Sequence, residues 1–196
     1  MKSGTMFRLV IRTVVRIFNH IRRRLYVNET LILFEHERFI PQESPADIAR
    51  ITHENVADVL DFQDQEYLRK FREYLSRGDA GYFAYLDGKC VHRSWVVHTP
   101  KTVYVHPMLP MQLKDGEAFI HFCETAPLAR GRNIYPAVLS KIAEDFRKKS
   151  YSLMISANAK NSRSIRGILK SGFREKERER IMVLLGIKLV KSFTRH

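Results

Sequence analysis

One stretch constrains the fold of this chain more than any other. From Thr125 it reads Thr-Ala-Pro-Leu-Ala-Arg-Gly-Arg-Asn-Ile-Tyr, and a helical run follows from Pro136 to Lys149. A strand pattern comes next (Tyr151 to Ala157), then a second helix that begins near Asn161 and stops at Gly172. A short basic loop that turns straight into a helix leaves backbone N–H groups without intrahelical partners. The helix dipole adds partial positive charge at the same place, so the loop suits a phosphate or diphosphate. Arg130 and Arg132 add two full charges beside it.

Two marks in this stretch occur in a fixed order. The first is Pro127, Arg130, Gly131, Arg132 and Ile134; the second is Asn161-Ser162-Arg163-Ser164, followed by Gly172-Phe173. One helix and one strand separate them. Together they resemble the acetyl-CoA-binding core of the GNAT (Gcn5-related N-acetyltransferase) superfamily. There a Pro-x-x-Arg-Gly-x-Gly-Ile-Gly loop cradles the CoA pyrophosphate, and an Asn-x-x-Ser/Ala precedes a helix ending in Gly-Phe. The resemblance covers roughly Asp47 to Leu185. It implies an α+β fold in three layers, with a mixed central sheet whose fourth and fifth strands splay apart. It also implies acetyl-CoA as acyl donor, direct transfer to an amine, and no metal.

Carried over position by position, the resemblance places Cys123, Glu124 and Thr125 along the wedge between the splayed strands. The amides of Arg130, Gly131, Arg132, Asn133, Ile134 and Tyr135 would meet the pyrophosphate. Asn161 would bond the pantetheine arm, with Ser164 in the same cofactor set. The chain departs from the pattern at three places. Asn133 and Tyr135 stand where glycine is usual; asparagine tolerates the left-handed backbone such a turn needs, whereas Tyr135 crowds the loop unless its ring turns outward. Ile168 stands where family members often carry a tyrosine that protonates the leaving thiolate. Another group or water must do that work, or the step proceeds without an acid.

Glu117 is the leading candidate for the base, on the resemblance to the histone acetyltransferase branch, which carries a glutamate at the same separation from the loop glycine. Strand alternation puts Glu117, Phe119, His121 and Cys123 on one face, which makes His121 the rival base, since imidazole titrates near neutrality. Cys123 has no histidine partner specified by sequence and reads as a small buried residue rather than a nucleophile.

Elsewhere the chain yields local structure. Tyr82 to Leu86 and Cys90 to Val97 flank Asp87-Gly88, a strong hairpin signal. Gln65 to Ser76 reads as a helix, Asp47 to Ile51 as the first strand of the catalytic body and Glu117 to Thr125 as its fourth. Thr52 to Leu60 reads as a helix capped by Thr52 or Asn55. Thr99 to Gly116 holds three prolines and reads as a long excursion reaching the active-site mouth. Arg174 to Leu185 reads as one or two late strands, and Trp95 as core.

The net charge of +13 belongs to the two ends. Residues 1–28 hold seven lysines and arginines and no acid; residues 186–196 hold three and no acid, which leaves only +3 for the body between them. That argues against nucleic acid as the main partner, because such proteins carry the basic patch on the folded face that docks. Met6 to Leu25 shows a helical apolar stripe with Arg8, Arg12 and Arg16 on another face. Arginines interrupt every apolar run, which fits neither a membrane span nor a signal-peptide core well. A basic amphipathic helix fits peripheral contact with the inner membrane surface, or packing of its stripe on the domain itself or on a second protomer as a homodimer. Two distant cysteines build neither a disulfide framework nor a metal site, which points to a cytoplasmic setting. The domain reading is residues 1–45 as N-terminal helix and linker, 46–187 as the catalytic domain and 188–196 as a basic tail. The functional reading is an acetyl-CoA-dependent N-acyltransferase acting on a small-molecule amine, an amino sugar or polysaccharide precursor. The alternative is a catalytically degenerate CoA-binding module.

Overall fold

A computed structural model describes residues 26–184 and 187–190. The expected basic helix and residues 191–196 of the expected tail lie outside the described residues. Eight strands form one mixed sheet in the order β10-β9-β1-β8-β7-β4-β3-β2. They are β1 (Tyr26–His36), β2 (Asp47–Arg50), β3 (Ala80–Leu86), β4 (Lys89–Val97), β7 (Glu117–Thr125), β8 (Ser152–Asn158), β9 (Phe173–Leu184) and β10 (Ile187–Val190). A separate hairpin is made by β5 (Lys101–His106) and β6 (Leu109–Leu113). The α-helices are α1 (Gln65–Ser76), α2 (Ile134–Arg147) and α3 (Ser162–Lys170). No helix among the described residues is long and apolar enough to cross a membrane.

The helices and the hairpin make the outer layers. On one face α2 and α3 cover Ala118 and Ile120 of β7, Leu153 and Ile155 of β8, and Ile32 and Phe34 of β1. Ile134, Val138, Ile142 and Phe146 recur every four residues along α2, so one stripe of that helix is buried. On the other face α1 and the 3₁₀ turn Val56–Asp61 bury Phe71, Tyr74, Phe83 and Trp95. The hairpin covers the rest of that face, laying Val103, Leu109, Met111 and Leu113 on Phe119, Met154 and Ile181. β8 is apolar on both faces because both are covered.

Four sequence expectations change. Residues 26–36, assigned to the N-terminal helix and linker, form an eleven-residue strand that pairs with β8 on one side and β9 on the other. The folded body therefore starts by Tyr26, not at residue 46. It also runs past residue 187, since Ile187 to Val190 pair with Leu184 to Ile181. The excursion at Thr99–Gly116 is an ordered hairpin with its own apolar face, alternating buried and exposed through Leu109–Leu113, and it covers the sheet. The expected helix after Thr52 is only a 3₁₀ turn. There Asn55 turns its side chain back to the Thr52 N–H instead of capping forward.

Candidate active site

The sheet comes apart at one place. Parallel pairing of β7 with β8 runs from Glu117 opposite Ser152 to Ile120 opposite Ile155, and stops. Beyond it, His121 to Thr125 stay with β4 while Ser156 to Asn158 stay with β1. Two backbone edges thus diverge with no strand between them among the described residues.

The cause of the parting is a bulge. Phe122 and Cys123 together face Ser94 alone, between the pairs His121–Trp95 and Glu124–Arg93. Phe122 has φ of 56°, an unusual value for a bulky residue, and a bulge of this kind bends its strand away from its neighbour. Arg93 holds it there. Its guanidinium donates to the Phe122 carbonyl and to Glu124, stacks over the Phe122 ring at 4.2 Å, and is almost fully buried.

At the head of the wedge lies the basic loop. The N–H groups of Gly131, Arg132, Asn133, Ile134 and Tyr135 make no hydrogen bond among the described residues; the first of the helix, from Ala137, goes to the Asn133 carbonyl. Pro136 has no N–H to satisfy. Gly131 sits at φ of 84° with open space where a side chain would be, and Asn133 at φ of 58° starts α2 from the left-handed region. The Asn133 side chain is tied down at both ends, donating to the Glu43 carbonyl at 2.6 Å and accepting from Lys170 at 2.8 Å. The result is a run of five outward donors with Arg130 and Arg132 exposed beside them.

Searches of family models and of curated proteins give no match to this chain. Solved structures do. An acetyltransferase of the GNAT family from Colwellia psychrerythraea superposes with a TM-score of 0.59 at 13% identity, covering 80% of this chain and 56% of its own. The glucosamine N-acetyltransferase region of a fungal multi-domain β-N-acetylglucosaminidase gives 0.59 at 10% identity, covering 87% of this chain and 22% of its own. An aminoglycoside 6′-N-acetyltransferase from Acinetobacter baumannii gives 0.50 at 16% identity, covering 67% of this chain and 92% of its own. This chain has the GNAT fold. It spans little more than half the length of the first of these relatives.

Placed in the GNAT frame, the sequence candidates fall into three groups. At the loop, Ile134 offers only its N–H, because its side chain is buried core. Arg130 uses its own N–H for a long 3.4 Å bond to the Pro127 carbonyl, while its Nε donates to the Thr125 carbonyl at 3.1 Å. That leaves the cradle one amide shorter than the sequence implied. Asn161 caps α3, its side-chain oxygen accepting from the Ser164 N–H at 3.1 Å.

Along the wedge, the bulge overturns the alternation. Cys123 packs with the α2–α3 core rather than sharing a face with Glu117, Phe119 and His121. Burial pushes its thiol up to about 11, so it is no thiolate nucleophile. The Glu124 side chain is committed to Arg93, which leaves only its backbone to line the gap. The Thr125 hydroxyl lies 2.7 Å from Nδ1 of His92, whose Nε2 meets Ser94 at 2.8 Å. Fully buried, His92 is held down to about 3, which means neutral. Tyr135 does not turn outward. Its ring runs inward to Gly167 and its hydroxyl lies 3.3 Å from Ser164 Oγ.

The two base candidates are separated. Glu117 sits at the closed end, one oxygen accepting from the Lys114 N–H at 2.8 Å. The first residue past the pairing, His121, is four positions further along the strand, about 13 Å away. His121 is the first β7 residue past the paired segment. Burial pushes its imidazole down to about 4, Tyr74 meets it edge-on at 5.4 Å, and its Nε2 is buried without a hydrogen bond.

Arg93 and the bulge escaped the sequence reading. The one available signal was Phe119 and Phe122 three apart in a strand where apolar residues should alternate.

Proposed function

We propose that this protein is an acetyl-CoA-dependent N-acyltransferase that moves an acetyl group directly to a small-molecule amine. The observation that carries the reading is the parting of β7 from β8 immediately beside five unbonded N–H groups and two exposed arginines. The residues fit the donor: the N–H run from Gly131 to Tyr135 would hold its diphosphate, and the unpaired edges of β7 and β8 would hold its amide-bearing arm as an added strand. Bound there, the donor supplies an acetyl group activated as a thioester.

The chain's own residues supply the remainder. The bulge at Phe122 opens the β7 edge, and Arg93 keeps it open. His121, neutral at pH 7, would accept a hydrogen bond from the incoming amine on the α1 side; Glu117 stands further off and would act only through water. The acceptor class is an amino sugar or a related polysaccharide precursor. Its support is that glucosamine and aminoglycosides are the substrates named for two proteins of the same fold.

Titration calorimetry with CoA and acetyl-CoA, paired with thiol release across amines that include glucosamine, tests this. Micromolar binding with amine-dependent release is expected. Binding without release would leave a CoA-responsive module, and no binding would end the reading altogether.

A further inference from the structure

A transferase of the kind proposed releases its sulfur as a thiolate or a thiol, and the chain has no acid where a tyrosine is usual. Ile168 is wholly buried among the core residues beneath α3. The hydroxyls and imidazoles around the parted strands narrow the choice. His92 has both ring nitrogens occupied, by Thr125 and Ser94, and those two hydroxyls are occupied by it in turn. His121 lies on the opposite face, towards α1.

Tyr135 is different. It starts from the first turn of α2 and crosses to the first turns of α3, so its side chain spans the gap between the two helix beginnings. The crossing depends on Gly167: a Cβ there would stand 2.8 Å from Tyr135 Cδ1 and 3.2 Å from Cε1, leaving no room for the ring. The ring meets His92 at 5.9 Å between centroids, and Cys123 of the diverging strand is the ionisable group that bears on the phenol. Its only hydrogen-bond partner among the described residues is Ser164 Oγ, at a long 3.3 Å, which leaves the O–H easily redirected. Burial raises the phenol well above its usual value, so it carries its proton at neutral pH.

We propose that Tyr135, admitted by the missing side chain of Gly167, is the hydrogen-bond and proton donor to the sulfur of the acyl donor. The inference rests on the acetyl-transfer reading. As the amine nitrogen bonds the acetyl carbon, the carbon–sulfur bond breaks with its electron pair on sulfur. The Tyr135 proton goes to that sulfur, and the proton lost by nitrogen returns to the phenolate through water.

The test needs no acceptor. Affinities of CoA and dethio-coenzyme A, which lacks only the thiol, are compared at pH 8.5 in the wild type and in Tyr135→Phe, which keeps the ring in its notch. The wild type should favour CoA about tenfold, as a donor to a thiolate would, and Tyr135→Phe should bind both alike. The ultraviolet thiolate band of bound CoA should rise at higher pH in the variant. An unchanged preference and an unchanged thiolate titration in Tyr135→Phe overturn the inference while leaving cofactor binding intact. Failure of the wild type to bind either compound overturns the acetyl-transfer reading and this inference together.

Discussion

Replacing Arg93 by methionine isolates the device that opens the sheet. The methionine keeps the aliphatic stem but removes the donors to the Phe122 carbonyl and to Glu124. A buried carbonyl stripped of a charged donor costs about 1–3 kcal/mol. The ion pair adds less, about 0.5 kcal/mol, because the Glu124 side chain is 37% exposed and can turn to water. Loss of the stack over Phe122 and Tyr67, at 4.2 and 4.8 Å, takes about 1 kcal/mol more. Freedom from burying a guanidinium returns about 1 kcal/mol. The net is a loss of about 2–3 kcal/mol, which lowers the melting temperature by roughly 4–12 °C in a domain of this size. Urea denaturation of wild type, Arg93→Met, Glu124→Gln and the double variant measures it. Glu124→Gln should cost under about 1 kcal/mol, since it leaves the Phe122 carbonyl bonded. If the two single variants lose equal stability, Arg93 serves the ion pair and not the bulge, and the account of the wedge is wrong.

Three further outcomes are expected. In Gly167→Ala, the gain of about 1 kcal/mol expected from helix propensity should not appear, because the new methyl displaces Tyr135; thermal melting reads this. Gly172→Ala should be severe, about 3 kcal/mol or more: its φ is 85°, and a Cβ would fall 1.9 Å from the Arg38 carbonyl oxygen. The Gly172 carbonyl also receives the Glu37 and Arg38 N–H groups, so soluble yield on expression is the first readout. For pH, His92 and His121 are held below their unfolded value of 6.5, at about 3 and about 4. The unfolded chain therefore binds more protons as pH falls. Stability is complete above pH 6.5 and falls towards pH 4 by up to about 2.7 kcal/mol per pH unit, twice the single-group slope. His92→Gln should halve that slope in denaturant titrations at pH 7, 5.5 and 4.5.

The loop and its helix were legible because their signals are local. Gly131, Asn133 and Pro136 dictate where α2 starts, and Asp87-Gly88 dictates the β3–β4 turn, with φ of 51° and 74°. The α1 limits, Gln65 and Ser76, match the sequence reading, and the Asp64 carboxylate accepts from the Glu66 N–H at its start. What escaped depends on partners far along the chain. Arg93 in a hairpin strand reads as an edge charge until Phe122, on another strand, supplies a carbonyl and a ring. Alternation carried Cys123 to the wrong face because one extra residue reverses the strand's parity. For Tyr135 the sequence offered only crowding or an outward ring, since nothing local announces that Gly167, a strand and a helix away, makes room for it.

The position of β1 bears on how the molecule assembles. Leu31 pairs with Asn158 and Tyr26 with Leu184, so the first described strand waits for the last ones before it has any edge to join. During synthesis it leaves the ribosome long before either neighbour, carrying Leu31, Ile32, Leu33 and Phe34 uncovered. Closing such distant pairs is slow, and an apolar strand without a mate is prone to the wrong one. Refolding from denaturant should therefore be concentration-sensitive, with aggregation competing against the docking of this one strand.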